Sequence, residues 1–262
     1  MSRAVHLTLD ILERLVQDGE PMRLTEFASG LEQPKATVYR ALATLEERGY
    51  IARLPDERYR LGVRCLELGA STGDMLDLRA VARENIEKLS AETEESVHLA
   101  VYERGEVVYV DKVDSMLPVA PKSRVGTRAP ATSIATGRAL LAFQSAAEID
   151  RVLSEPAVAY TQNTMTDPDE LRAMLEQVRR DDLARNDGSW RDGVSGIAAP
   201  VRDHTGVVVA SIGCCMPSMR LTESRRGPVS RAVLDAAANV SRELGYRVPG
   251  KEGAWSDGLG KP

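Results

Sequence analysis

PKATVYRALATLEERGYIARLPDERYRLG, from Pro34 to Gly62, decides how the rest of the chain is read. Within it Val38, Ala41, Leu42 and Leu45 recur at i, i+3, i+4 and i+7, the stripe of a helix buried along one face. Pro34 suits a first helical turn and Gly49 a C-terminal stop. Lys35, Thr37, Tyr39, Arg40 and Thr44 lie off that stripe. Tyr50–Leu54 and Arg58–Leu61, joined by Pro55-Asp56-Glu57, read as a two-stranded ribbon from which Arg53, Arg58 and Arg60 project. A short helix that exposes hydroxyls and a cation fits a DNA major groove, and a basic ribbon beside it reaches phosphates. That combination is a winged helix-turn-helix. The plain alternative is an amphipathic helix followed by a solvent-facing hairpin. Local charge weighs against it: residues 33–64 carry seven Lys/Arg against four acids, the excess that phosphate contact requires.

At 262 residues the chain exceeds one typical domain, so two are expected. Net charge is −5 with a pI near 5.4, which excludes a protein that coats nucleic acid indiscriminately. Residues 1–64 hold ten basic and ten acidic side chains, so the acidity belongs to the remainder. Three cysteines, Cys65, Cys214 and Cys215, make no disulfide framework, and no Cys/His spacing resembles a zinc site. No cofactor or metal is expected. No apolar run approaches a membrane span, and a cytoplasmic location is expected.

Residues 4–17 read as a first helix with Val5, Leu9, Leu12 and Val16 on its buried face. Arg23–Leu31 reads as a second, with Thr25 as a cap. These elements and the ribbon make a DNA-binding domain over residues 1–62. A linker helix follows at 63–75, broken at Ser71-Thr72-Gly73-Asp74 as a hinge. Residues 76–250 form an α/β domain. It opens on a helix at Asp77–Thr93 buried through Leu78, Ala82, Ile86 and Leu89. Strands Ser96–Tyr102 and Val107–Val113 pair around Arg104-Gly105. An extended piece at Leu117–Lys122, a loop over 124–131 and a helix at Ser133–Gln144 come next. Asp167-Pro168-Asp169-Glu170 is a strong helix start. A polar loop covers Arg185–Gly196, before strands at Ile197–Arg202 and Val207–Cys215 and a last helix at Pro228–Leu244. The Gly-rich stretch 251–262 reads as a disordered tail.

Four blocks now carry a recognisable pattern: residues 34–62 with Leu66-Glu67-Leu68-Gly69; Val97–Leu99 with Val108–Val113; Thr136–Ala142; and Asp192-Gly193-Val194 through Ile197–Val201 to Gly206. In that order and spacing the chain resembles the IclR family of bacterial transcriptional regulators over nearly its full length. The resemblance implies an α+β architecture: an N-terminal winged helix-turn-helix, a linker helix and a C-terminal GAF-like α/β effector-binding domain. It implies operator DNA and a small organic acid as partners, and homodimers that pair into tetramers. Two segments depart from the family. Ala131-Thr132-Ser133-Ile134-Ala135 stands where a Leu-His-Ala-Thr-Ala pattern is usual, with Arg138 for lysine, and residues 186–192 replace an acidic cluster.

The helix start near Ser133 has its own physical case as an effector site. Unpaired N–H groups and a partial positive charge suit a carboxylate there, and Thr132, Ser133 and Thr136 add hydroxyls. Ser133 capping its own helix is the bland alternative. The family's ligand contacts fall on Ser133, Ile134, Ala135 and Thr136, and by position on Asn186, Val194, Gly196, Gly213 and Cys215. Glycine at 196 and 213 is expected to enlarge the cavity, and Trp190 to close over a flat ligand. His98 on its strand reads as a structural histidine, and the paired cysteines as core residues.

The leading expectation is a ligand-responsive repressor of a catabolic operon, without enzyme activity, answering to an aromatic acid such as a hydroxybenzoate. Alternatives are a glyoxylate- or pyruvate-type effector, a thiol-sensing repressor using Cys214 and Cys215, and, in another class, a small-acid enzyme with an appended winged helix.

Overall fold

The computed structural model describes residues 3–70 and 73–247. They divide into two compact units, Met1–Asp77 and Leu78–Pro262. Ser71 and Thr72, half of the expected hinge, and the expected tail at 251–262 lie outside the described residues.

The first unit runs α1 (Arg3–Asp18), β1 (Met22–Arg23), α2 (Leu24–Gly30), α3 (Lys35–Glu47), β2 (Ile51–Arg53), β3 (Arg58–Leu61) and α4 (Val63–Ala70). The strands form one antiparallel sheet in the order β1-β3-β2. Val38, Leu42 and Leu45 of α3 enter a core with Phe27, Ile51 and Tyr59, as their spacing requires. On α1 the buried face is different from the expected one. Leu7, Ile11 and Leu15 are buried, whereas Val5, Leu9 and Val16 are exposed and Leu12 is half-buried. Both sets satisfy the helical period, so periodicity alone could not choose between them. Thr25 does not cap α2. The Glu26 carboxylate instead reaches back and accepts the Arg23 N–H at 2.5 Å.

The second unit follows α5 (Gly73–Thr93) with β4 (Ser96–Glu103), β5 (Glu106–Val113) and β6 (Arg128–Pro130). Next come α6 (Ala135–Leu141), α7 (Ala146–Ser154), α8 (Pro168–Asp181), β7 (Ala184–Asp187), β8 (Val194–Arg202), β9 (Val208–Pro217) and α9 (Glu223–Glu243). One antiparallel sheet has the order β6-β5-β4-β9-β8-β7. The β4–β5 turn is tight because Arg104 and Gly105 both take positive φ, +51° and +91°. Alternation along the strands sorts the side chains. Val97, Leu99, Ile197, Ala199, Ile212 and Cys214 face α5 and α9 in the larger core. Ala198 on the opposite face packs with α6, α7 and α8.

Several boundaries moved. Leu117–Lys122 is not a strand; the third strand of that half is β6, inside the segment read as a loop. β7 likewise lies inside the polar loop, because an edge strand of four residues can carry Arg185, Asn186 and Asp187 without an apolar pattern. α7, capped by Ser145, had no counterpart in the sequence reading. α8 begins where expected, with Asp167 Oδ1 accepting from Asp169 N (2.9 Å) and Glu170 N (3.0 Å). α9 starts five residues early and holds Pro228 within it.

Candidate functional site

Two surfaces hold the candidate residues, one in each unit. In the first unit Lys35, Tyr39, Arg40 and Thr44 of α3 are exposed and Thr37 half-buried, all off the buried stripe. Thr44 Oγ1 spends its proton on Arg40 O at 3.0 Å, so only its lone pairs remain for a partner. Among the described residues Lys35, Arg40 and Arg60 make no ion pair, and their charges face solvent.

The ribbon separates its arginines. Arg58 and Arg60 share one face, and Arg23, opposite Arg58 in register, joins them. The sequence reading missed Arg23 because β1 has only two residues. Arg53 sits on the other face, paired with Glu57 and stacked 5.9 Å from the Tyr59 ring. Arg58 pairs with Asp56 at 2.6 Å, and that bond holds the Asp56 carboxyl below its ordinary range. Both pairs are exposed, so each is worth little and can be exchanged for phosphate.

The second surface is a cavity of about 50 Å³ on the α6 face of the sheet, open to solvent on one side. Alternation brings His98 from β4, Tyr109 from β5, Gly196 from β8 and Gly213 and Cys215 from β9 to it. Ile134, Ala135 and Thr136 enter from the start of α6, Asn186 and Trp190 from β7 and the segment after it, and Val194 from the start of β8. Nine of the expected effector residues therefore meet at one place. Thr132 and Ser133 do not line the cavity. Ser133 is buried, and the N-cap position of α6 falls on Ile134, whose side chain makes no cap hydrogen bond. The N–H of Ala135 is taken by Asn186 Oδ1 at 3.0 Å. A neighbouring strand caps the helix, and one of the N–H groups expected to meet a carboxylate is already occupied.

Gly196 and Gly213 do not enlarge the cavity. A Cβ at 213 would stand 2.7 Å from Ala198 Cβ, 2.8 Å from Ile197 O and 3.0 Å from Thr136 Cγ2. A Cβ at 196 would stand 2.7 Å from Asn186 Oδ1 and 3.3 Å from Ala135 Cβ. These glycines are where α6 and its capping residue approach the sheet backbone.

His98 lines the cavity and is also buried and hydrogen-bonded, as the structural reading expects. Its Nε2 meets Ser123 Oγ at 2.5 Å, and its ring lies 4.7 Å from that of Tyr109. Burial, reinforced by the nearby Lys112 charge, lowers its pKa to about 4, so it is neutral. Burial also raises the Tyr109 phenol and pushes the Cys214 and Cys215 thiols up to about 12. The cations at the cavity are Lys122 and Arg191, both exposed, with the Arg191 guanidinium 4.4 Å over the Trp190 ring. Lys122 and Ser123 were missed because the loop before β6 carries no pattern that places it; Tyr109 lies on the expected strand β5 and Arg191 in the segment after β7, and neither was singled out. Among the described residues no His/Cys/Asp/Glu group is arranged to hold a metal, and no helix is long and apolar enough to cross a membrane.

Residues 5–55 match the IclR helix-turn-helix domain, and residues 70–242 match the bacterial transcriptional regulator IclR C-terminal domain. The HTH-type transcriptional regulator KdgR of Escherichia coli is 33% identical over 240 residues, covering 90% of this chain and 90% of that protein. The IclR transcriptional regulator of Alicyclobacillus acidocaldarius superposes with a TM-score of 0.79 at 29% identity, over 94% of this chain and 100% of that one. An IclR homolog from Microbacterium hydrocarbonoxydans, solved with 4-hydroxybenzoate, gives a TM-score of 0.79 at 27% identity over 90% and 98% of the chains.

Proposed function

The chain belongs to the IclR family of bacterial transcriptional regulators, a DNA-binding regulator and not an enzyme, and on that premise we propose that it is a repressor released by a small carboxylic acid. It works in the cytoplasm as a homodimer or a dimer of dimers, with α3 in the major groove of its operator and Arg58 and Arg60 on flanking phosphates. The effector occupies the cavity between α6 and the sheet.

One observation carries the effector reading. A cavity is walled by Tyr109, His98 and Trp190, with Thr136 beside Tyr109 and with Arg191 and Lys122 at its rim. Aromatic walls suit a flat ring, and cations at the rim suit its carboxylate. The 4-hydroxybenzoate bound by the Microbacterium relative supports a hydroxybenzoate as first candidate. A second reading, glyoxylate or pyruvate, is favoured by volume. An apolar cavity of roughly 150 Å³ accommodates benzene, and this one measures about 50 Å³. A ring therefore needs the walls to move apart.

The thiol-sensing alternative lacks support, because burial keeps both thiols protonated and the thiolate is the reactive species. Calorimetry of the full chain against 4-hydroxybenzoate, pyruvate and glyoxylate tests the assignment, with a gel shift on the promoter region beside it. Binding of the two- and three-carbon acids alone would overturn the aromatic reading. Binding of none would overturn the cavity's role.

A further inference from the structure

A second cavity, of about 270 Å³, opens beside β7, the edge strand of the sheet. Arg138, Arg185, Arg226, Asn163, Ser189 and Asp187 form most of its wall. Three arginines thus border one space with a single aspartate, Arg138 reaching it from α6, Arg185 from the edge strand and Arg226 from α9. No role described above uses this space.

Arg138 is the unusual member. Its side chain is buried, with the residue 6% exposed. Nε donates to Thr132 O at 2.8 Å, Nη1 to Arg185 O at 2.6 Å, and Nη2 to Ser189 Oγ at 3.3 Å. Every one of these partners is neutral, and among the described residues Arg138 makes no ion pair. Three of its five N–H groups are used, which leaves two for a further acceptor. Burial without a counter-charge pulls its pKa down to about 10, the sign of a cation held where it is costly. Charged groups are seldom this buried unless paired.

The other two arginines are loosely held. Arg226 stands 3.6 Å from Asp187 and 3.7 Å from Glu223, longer than a direct charge-assisted hydrogen bond. Among the described residues Arg185 donates from Nη2 to Ser230 Oγ, at 3.4 Å, and makes no ion pair. Asp187 is itself engaged, since its Oδ1 accepts from Ser195 Oγ at 2.5 Å.

We propose that this cavity is a second, anion-binding site of the C-terminal unit, in which Arg138, Arg185 and Arg226 together hold the phosphate or carboxylate group of a small molecule. The planar guanidinium fork matches both groups. The site does not depend on which acid fills the first cavity. It is nonetheless joined to it, because Asn186 lines both cavities and caps Ala135 at the start of α6. An anion beside Asn186 therefore acts on the same helix start that borders the first cavity.

Calorimetry on the full chain tests this, with inorganic phosphate and succinate titrated separately at constant ionic strength against chloride. The expected result is saturable binding of at least one, with a Kd on the order of 1 mM or tighter. The tighter of the two identifies the group as phosphate or carboxylate. R185Q and R226Q alter the accessible side of the cavity, leave Arg138 in place, and are each expected to weaken binding roughly 10-fold. Unchanged thermal unfolding of R226Q in anion-free buffer shows that the loss is one of binding. Two outcomes overturn the proposal: no saturation with either anion, or binding that both substitutions leave intact. Arg138 would then be a strut between α6 and β7 only.

Discussion

Replacing Gly213 by alanine adds one methyl group at the place where α6 meets β9, and that methyl has no room. The new Cβ would lie 2.7 Å from Ala198 Cβ and 2.8 Å from the Ile197 carbonyl oxygen, with Thr136 Cγ2 at 3.0 Å. Favourable contacts of this kind sit at about 3.5–4.0 Å. The first two neighbours belong to β8, fixed by its ladder to β9, and cannot rotate away as the end of a long side chain could. The strand pair or the helix must move by several tenths of an ångström. Overpacking on this scale costs roughly 1–3 kcal/mol. In a domain of this size each kcal/mol lowers Tm by about 2–4 °C, so a fall of roughly 2–12 °C is expected. Because Thr136 and Ala135 shift with the helix, pyruvate and hydroxybenzoate should weaken together. Thermal unfolding and calorimetry on the same preparation decide it. An unchanged Tm, with only the aromatic ligand excluded, would show that Gly213 sets the cavity's size and that the close-approach argument is wrong.

Arg40→Ala is expected to remove operator preference while leaving effector affinity intact, since a bidentate contact to guanine contributes about 1–3 kcal/mol; a competition gel shift with a mutated operator reads it. Arg60→Ala should weaken binding to all sequences and lower the salt slope by about 1. Arg53→Ala should do less, because Arg53 lies on the opposite face of the ribbon, paired with Glu57. His98 gives a pH prediction whose sign is fixed. Unfolded histidine takes its proton near pH 6.5, whereas buried His98 does so only near pH 4. Between those values the unfolded state binds more protons, so stability falls as pH falls and is unaffected above about 7. From pH 7 to 5 this amounts to about 2 kcal/mol, which His98→Gln should remove from a urea titration. Arg220→Ala should destabilise the second unit by about 1–3 kcal/mol, because the fully buried Glu95 loses the hydrogen bonds of one of its two arginines while Arg225 remains. It also frees Val119, whose carbonyl accepts from Arg220 Nη1 at 2.6 Å, so the segment leading to Ser123 should exchange its amides faster.

The parts legible in the sequence were those where one pattern had one solution. The stripe Val38, Leu42, Leu45 could be buried in only one way, and Asp167-Pro168-Asp169-Glu170 could start a helix only at Pro168. α1 was different, since two apolar stripes shared one helix and the choice lay with the partners, Phe27 and Leu42 among them. β6 and β7 escaped because edge strands of three and four residues need no alternation to pair. The cavity was legible as a set of positions but not as a volume. Glycine in a sequence signals missing side-chain bulk, and only coordinates show whether that space is empty or filled by another backbone. At Gly196 and Gly213 it is filled.

That close packing also explains why α6 depends on β7. The helix has seven residues, begins on Ile134 without a side-chain cap, and rests on small residues at Ala131, Ala135 and Ala139. A helix so short has little stability of its own in water. Its start is held by Asn186, and its second turn by Arg138 bonded to the Arg185 carbonyl. Both anchors lead to β7, which is hydrogen-bonded to the sheet on one side only. β7 is also followed directly by the segment that carries Trp190. On the two proposals above, a ligand in the first cavity beside Trp190 and an anion beside Arg138 both bear on the strand that fixes α6. Asn186→Ala should uncouple the two, leaving the Ala135 N–H unmet at a cost of about 1–3 kcal/mol. If binding in either cavity is then as sensitive to occupancy of the other as before, measured by titrating one ligand in the presence of the second, the coupling does not run through Asn186.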